Sequence, residues 1–117
     1  MNTIEINIFA IVGDDSCVNA EDGQKVFGKI KEVIEAGHKA KLSFTNVSLL
    51  TSAFLNVAIG QLYGLFDDKK LRDSLSVENI TEDDKSLLKK VIDNAKLFYS
   101  SKDKKGLEKI YDEAVKR

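Results

Sequence analysis

The order of segments predicts an α/β domain: strands joined by helical crossovers, lying parallel in one sheet. Three observations carry the prediction. Short runs of strand character recur at Ile4–Val12, Ala40–Phe44 and Leu75–Ile80. The stretches between them show helical periodicity. Charge is unevenly spread: residues 1–66 hold 5 basic and 7 acidic side chains, whereas residues 67–117 hold 13 and 12. The first part therefore supplies elements buried on more than one side, and the second supplies elements with one wet face. With 117 residues and no Pro- or Ser-rich linker, the chain reads as one domain over 1–117 with a core over about 4–100.

The first strand, IEINIFAIV over Ile4–Val12, is rich in Ile and Val and stops at the turn composition Gly13-Asp14-Asp15-Ser16. Asn19 is an N-cap for a helix over about Glu21–Ala36, with Val26, Phe27, Ile30, Val33 and Ile34 forming one apolar stripe. Gly37 ends that helix in the left-handed conformation, and His38 beside it meets the negative end of the helix dipole. Ala40–Phe44 is a short strand, followed by a turn at Thr45-Asn46-Val47-Ser48 and a helix over about Thr51–Phe66. That helix is so apolar that it is either deeply packed or offers a face to a partner. Gly60 and Gly64, four apart, let a neighbouring element approach it closely. After the strand Leu75–Ile80, Thr81 caps a helix running to about Ser100, with Asp83 and Asp84 in its first turn. A last helix over about 104–116 carries Leu107, Ile110, Tyr111, Ala114 and Val115.

In a sheet of this kind the loops after the strands gather at one rim with the helix N-termini. Those loops are Gly13–Ala20, Thr45–Ser52 and Ile80–Asp84, so any site belongs there.

Composition removes several functions. A net charge of −1 offers no one-sided basic patch for nucleic acid or anionic lipid, and the Lys-rich C-terminal stretch is interleaved with acids. No apolar run is long enough for a membrane span, and the N-terminus lacks signal-peptide character, so the expected location is the cytoplasm. One cysteine and one histidine give no zinc framework, and no phosphate-binding glycine motif is present, so neither metal nor cofactor is expected. The carboxylates of Asp14 and Asp15 read as a solvated turn, and Cys17 as a passive thiol.

The stretch LSFTNVSLLTSAFLNVAIGQLYG, Leu42–Gly64, resembles the strand–turn–helix signature of STAS domains, the fold of sulfate-transporter tails and anti-sigma-factor antagonists. The resemblance is closer to a family of small bacterial STAS-like proteins. These pair an upstream helix, here from Glu21-Asp22-Gly23 to Gly37, with a downstream helix of pattern SxFLNxAxGxLY, here Ser52–Tyr63. It spans about Gly13 to Tyr99. The resemblance implies a non-catalytic regulatory module that binds a protein, with a histidine-kinase-like ATPase as the partner by analogy. Antagonists of this fold are phosphorylated on the turn serine and so released. Carried over position by position, the turn's acid falls at Thr51, its first hydroxyl at Ser52 and the usual acceptor at Ala53, which has no hydroxyl. Partner contacts are expected from Thr45, Asn46, Ser48, Leu50, Thr51, Ser52 and Phe54, with Ser52 or Thr51 as the phosphorylated group. The plainer alternative is that a hydroxyl here only caps the helix. The competing reading is a small-ligand or nucleotide-binding domain with a pocket between the Gly13–Ala20 and Thr45–Ser52 loops. A hydrolase using Cys17 or the Asp pair ranks last.

Overall fold

A computed structural model of the chain describes residues 2–100. The expected helix over about 104–116 lies outside the described residues. In chain order the elements are β1 (Thr3–Asn7), α1 (Ile8–Val12), β2 (Ser16–Cys17), α2 (Ala20–Glu35), β3 (Lys39–Ser43) and β4 (Leu49–Leu50). There follow α3 (Ser52–Ala58), a 3₁₀ segment (Gly60–Gly64), α4 (Asp68–Ser74), β5 (Leu75–Glu78) and α5 (Glu82–Ser100).

The α/β prediction holds. The main sheet has the order β1-β3-β5 with every pair parallel, and β2 and β4 form a second, two-stranded parallel sheet. The chain thus steps across the main sheet twice in the same direction. Right-handed connections then place both crossovers on one face. Register agrees: Ile4, Ala40 and Leu75 share one row and Ile6, Leu42 and Val77 the next, all on the helix-covered face. Glu5, Lys41 and Ser76 lie in a row on the other face, which carries Thr3, Lys39 and Glu78 as well. A parallel sheet normally has both faces covered. This one is covered once among the described residues, so its open face is polar.

Several expectations are corrected. Residues Ile4–Val12 are not one strand: the chain leaves the sheet at Asn7, whose side chain accepts from the Ala10 N–H at 2.9 Å and caps α1. Ile8, Ile11 and Val12 fall at helical spacing and turn inward, which outweighs their strand propensity. The helix expected over Thr51–Phe66 breaks at Ile59 into α3 and a 3₁₀ segment. A further helix, α4, was not foreseen. Asp67 caps it by accepting from the Lys70 N–H at 2.7 Å.

Other local signals translate directly. Asn19 caps α2, accepting from the Asp22 N–H at 2.8 Å, and Gly37 adopts φ 85° just beyond the helix. Thr81 accepts from the Asp84 N–H at 3.2 Å at the start of α5. The core is shared by the inner sheet face, α2, α3 and α5, with Phe54, Leu55 and Leu62 fully enclosed. Helix α3 is therefore deeply packed. Close approach is visible where a Cβ at Gly64 would lie 2.6 Å from the Tyr99 ring.

Candidate functional site

The rim at the C-terminal ends of the strands is assembled from two loops tied together. After α1, Gly13 takes φ 77°, a left-handed turn that costs glycine little, and its N–H returns to Phe9 O at 2.8 Å. Asp14 Oδ1 accepts from the Ser16 N–H at 2.9 Å, a side-chain turn that aims β2 at β4. The N–H groups of Ser48 and Leu49 both donate to Asp15 O, at 2.9 and 3.3 Å, and Thr51 N–H donates to Cys17 O at 3.2 Å.

Register in this small sheet decides which side chains are available. Ser16 pairs with Leu49 and Cys17 with Leu50. Successive side chains point to opposite sides of a strand. Cys17 and Leu50 turn into the core and Ser16 and Leu49 turn out. Leu50 is 7% exposed and Leu49 is 53% exposed. Leu50 is thus a core residue rather than a contact residue, and so is Phe54, at 0% exposed. The apolar residue that the rim does present, Leu49, was absent from the expected set. Two adjacent leucines give no sign of which faces outward until the pairing of β2 with β4 is known.

The hydroxyls divide similarly. Thr51 is the N-cap of α3: its Oγ1 accepts from the Phe54 N–H at 3.3 Å and donates to Val18 O at 2.8 Å. Ser52, the first residue of α3, is exposed, as is Ala53. Thr45 is exposed, yet its Oγ1 accepts from Ser43 Oγ at 3.0 Å and from Asn79 Nδ2 at 2.9 Å, linking the loops that follow β3 and β5. Asn46 and Asn79 hold φ of 66° and 57°, left-handed positions that asparagine tolerates. Asn46 and Ser48 are both exposed.

Between the two loops lies an open hollow of about 540 Å³, lined by Phe9, Gly13, Asp14, Asp15, Asn46 and Ser48. Its charged lining is acidic. The Ser16 backbone N–H, and then a hydrogen bond with Asp15, hold the Asp14 carboxyl below its ordinary value. Burial first, and then the fields of Asp22, Asp14 and Asp15, push the Cys17 thiol up to about 11, so it is neutral and enclosed at pH 7. Neither Asp14 nor Asp15 forms an ion pair among the described residues, whereas nearby Asp22 has Lys25 at 3.6 Å.

No cluster of three or more His, Cys, Asp or Glu able to hold a metal occurs among the described residues. His38 sits before β3, at the sheet end opposite the rim, where its Nδ1 accepts from the Asn2 N–H at 3.4 Å. On the open sheet face, the hydrogen bond between the Glu5 and Glu78 carboxyls raises Glu5 and lowers Glu78, with Lys41 3.6 Å from Glu78. No described helix is long and apolar enough to cross a membrane.

A two-layer parallel α/β unit whose central strand runs through a short turn into an apolar helix is the architecture expected of a STAS-like domain. A family model described as a STAS-like domain of unknown function (DUF4325) matches residues 22–85, more than half of the chain. The chain belongs to that family. The matched stretch runs from the first turn of α2 into the first turn of α5 and includes Thr45–Phe54; β1 and the Gly13–Asp15 turn precede it. Comparison with curated proteins and with solved structures finds no match.

Proposed function

We propose that this STAS-like domain is a non-catalytic regulatory module of the cytoplasm that docks a protein through the rim formed by Asn46–Ser52 and Gly13–Ser16. The observation that carries the reading is Leu49. It is an apolar side chain, 53% exposed, on a segment held to β2 and the turn before it by backbone hydrogen bonds. An immobilised exposed leucine costs a partner little ordering entropy to cover, unlike one on a loose loop. By family analogy the partner is a histidine-kinase-like ATPase. Of the two hydroxyls at the start of α3, Ser52 is the one a kinase can reach, because that of Thr51 is used in two hydrogen bonds. The test is calorimetry of the full chain with a purified ATPase of that superfamily from the same cell. A complex weakened at least about tenfold by Leu49→Asp, with unchanged stability, is expected for a contact at the centre of an interface. A complex indifferent to Leu49→Asp refutes the placement, and a complex indifferent to Ser52→Asp removes the phosphorylation switch alone.

The hollow between the two loops favours one second reading, a small-ligand site. Its paired carboxylates oppose a phosphate, and a strand order without reversal forms no crevice of the usual nucleotide-binding kind. A ligand that binds only the folded form raises apparent stability. A thermal shift with nucleotides or small anions would support this reading, and no shift across a broad panel would dismiss it.

A further inference from the structure

Helix α5 starts at the rim, after β5, and runs away from it. Where it finishes, a hollow of about 600 Å³ opens between α5 and residues 63–68. The docking reading above makes no use of it. We propose that the occupant of this hollow is the chain's own stretch 107–115, folded back against α5 as an amphipathic helix. Among the described residues three large apolar side chains are exposed, Leu49, Leu65 and Leu97. The last two, 54% and 74% exposed, both line this hollow, together with Tyr63, Phe66 and Tyr99. Two exposed leucines from separate stretches that converge on one hollow form a patch, which a scattered leucine does not. The sequence supplies a matching surface. Leu107, Ile110, Tyr111, Ala114 and Val115 recur at helical spacing, and every other residue from 107 to 116 is charged. A helix of about ten residues is too short to hold in water alone, so this stripe needs an apolar surface to pack on. The tether brings it to this one. Ser100 itself lines the hollow, and residues 101–106 join it to Leu107, within the usual length of a connection between antiparallel helices. Held by so short a linker, the stripe meets the hollow at an effective concentration in the millimolar range, ahead of any free competitor. Charge agrees with the apolar match. The lining carries Asp67, Asp68 and Asp93 against Lys96, and the linker carries Lys102, Lys104 and Lys105 against Asp103. Because Asp68 already pairs with Lys96 at 3.3 Å and Asp93 with Lys89 at 2.9 Å, the leucines rather than the charges carry the assignment.

The experiment uses NMR of the full chain with labelled Leu and Ile methyl groups. Nuclear Overhauser contacts are expected from the methyls of Leu65 or Leu97 to those of Leu107 or Ile110, unchanged on dilution. Leu97→Asp and, separately, Ile110→Asp should each abolish these contacts and speed amide exchange over residues 107–115 at least about tenfold. Leu49→Asp should leave both readouts as they are. Leu97 is 74% exposed, so its substitution spares the core, which unchanged amide signals from α2 and β3 will verify. Contacts that fade on dilution, or that join differently labelled copies in a mixed sample, would make a second copy the occupant and overturn the fold-back. Methyl contacts from Leu107 and Ile110 to other parts of the chain would overturn the proposal. So would free exchange over residues 107–115 in the natural chain, or contacts indifferent to Leu97→Asp. None of these outcomes bears on docking at the rim.

Discussion

The stretch Leu49–Ala58 crosses two regions of opposite character. Its later part is sealed between α2 and the core: a Cβ added at Gly23 of α2 would lie 2.7 Å from Phe54 O and 3.0 Å from the Val57 Cβ. Its first residues form the rim, where Leu49 is half uncovered and Ser52 and Ala53 face water. This apolar helix is therefore a packing element, and the docking surface proposed above falls to the two-stranded sheet that precedes it. Apolar character alone does not mark an interface.

Substitutions along this stretch should separate the two regions, and the largest effect belongs to the sealed one. Phe54→Ala should cost about 3–5 kcal/mol, the range for truncating an enclosed aromatic, read by urea unfolding. Gly23→Ala should cost about 1–3 kcal/mol, because the added methyl meets a backbone carbonyl rather than a side chain that can swing away. Thr51→Ala removes a helix cap and its bond to Val18 O, for about 1–2 kcal/mol, with Thr51→Ser recovering most of it. Leu49→Ser, a few residues away, should stay within about 0.5 kcal/mol in stability while reducing partner affinity. An equal loss of stability at Leu49 and Phe54 would erase the distinction.

Two ionisable sites extend the comparison between enclosed and exposed positions. The Cys17 thiol, enclosed and pushed up to about 11, should react with a thiol reagent at pH 7 only as fast as the fold opens. Rapid labelling of the folded chain would contradict its place in the core. The smallest effect is on the open sheet face. Glu78 is lowered there, so it favours the folded state above its ordinary titration range, and this contribution is lost as pH falls through its folded value. Glu5 is raised by the same hydrogen bond and acts in the opposite sense, favouring the fold at low pH and losing that contribution as pH rises through its folded value. In Glu5→Ala, carbon-detected NMR should find Glu78 titrating at a higher pH than in the natural chain.

Local signals were legible where a single residue type has one good use. Asn19 and Thr81 cap helices, Gly37 supplies a left-handed turn, and the strands at Ala40–Phe44 and Leu75–Ile80 lie within a residue or two of where alternation puts them. The turn at Asn7 was hidden because Ile8, Phe9, Ile11 and Val12 suit a strand as well as a helix, and only burial of Ile8 against the core selects the helix. Helix α4 was hidden among charges, although Asp67 followed by Asp68, with Leu71 inward, is the pattern of a capped short helix.

By itself the chain's order of apolar runs, caps and turns determined the class of fold, the parallel arrangement and the rim at which the loops meet. Those features follow from short-range chemistry and from the handedness of L-residues, which act the same way in any context. Only the tertiary structure decided that both crossovers share one face, that Leu50 and Phe54 are sealed, and that Leu49 is not. Side chains alternate with a period of two, so inside and outside are exchanged by one step of register. That step is set by pairing β2 with β4 across more than thirty residues of chain, a contact that no local pattern encodes.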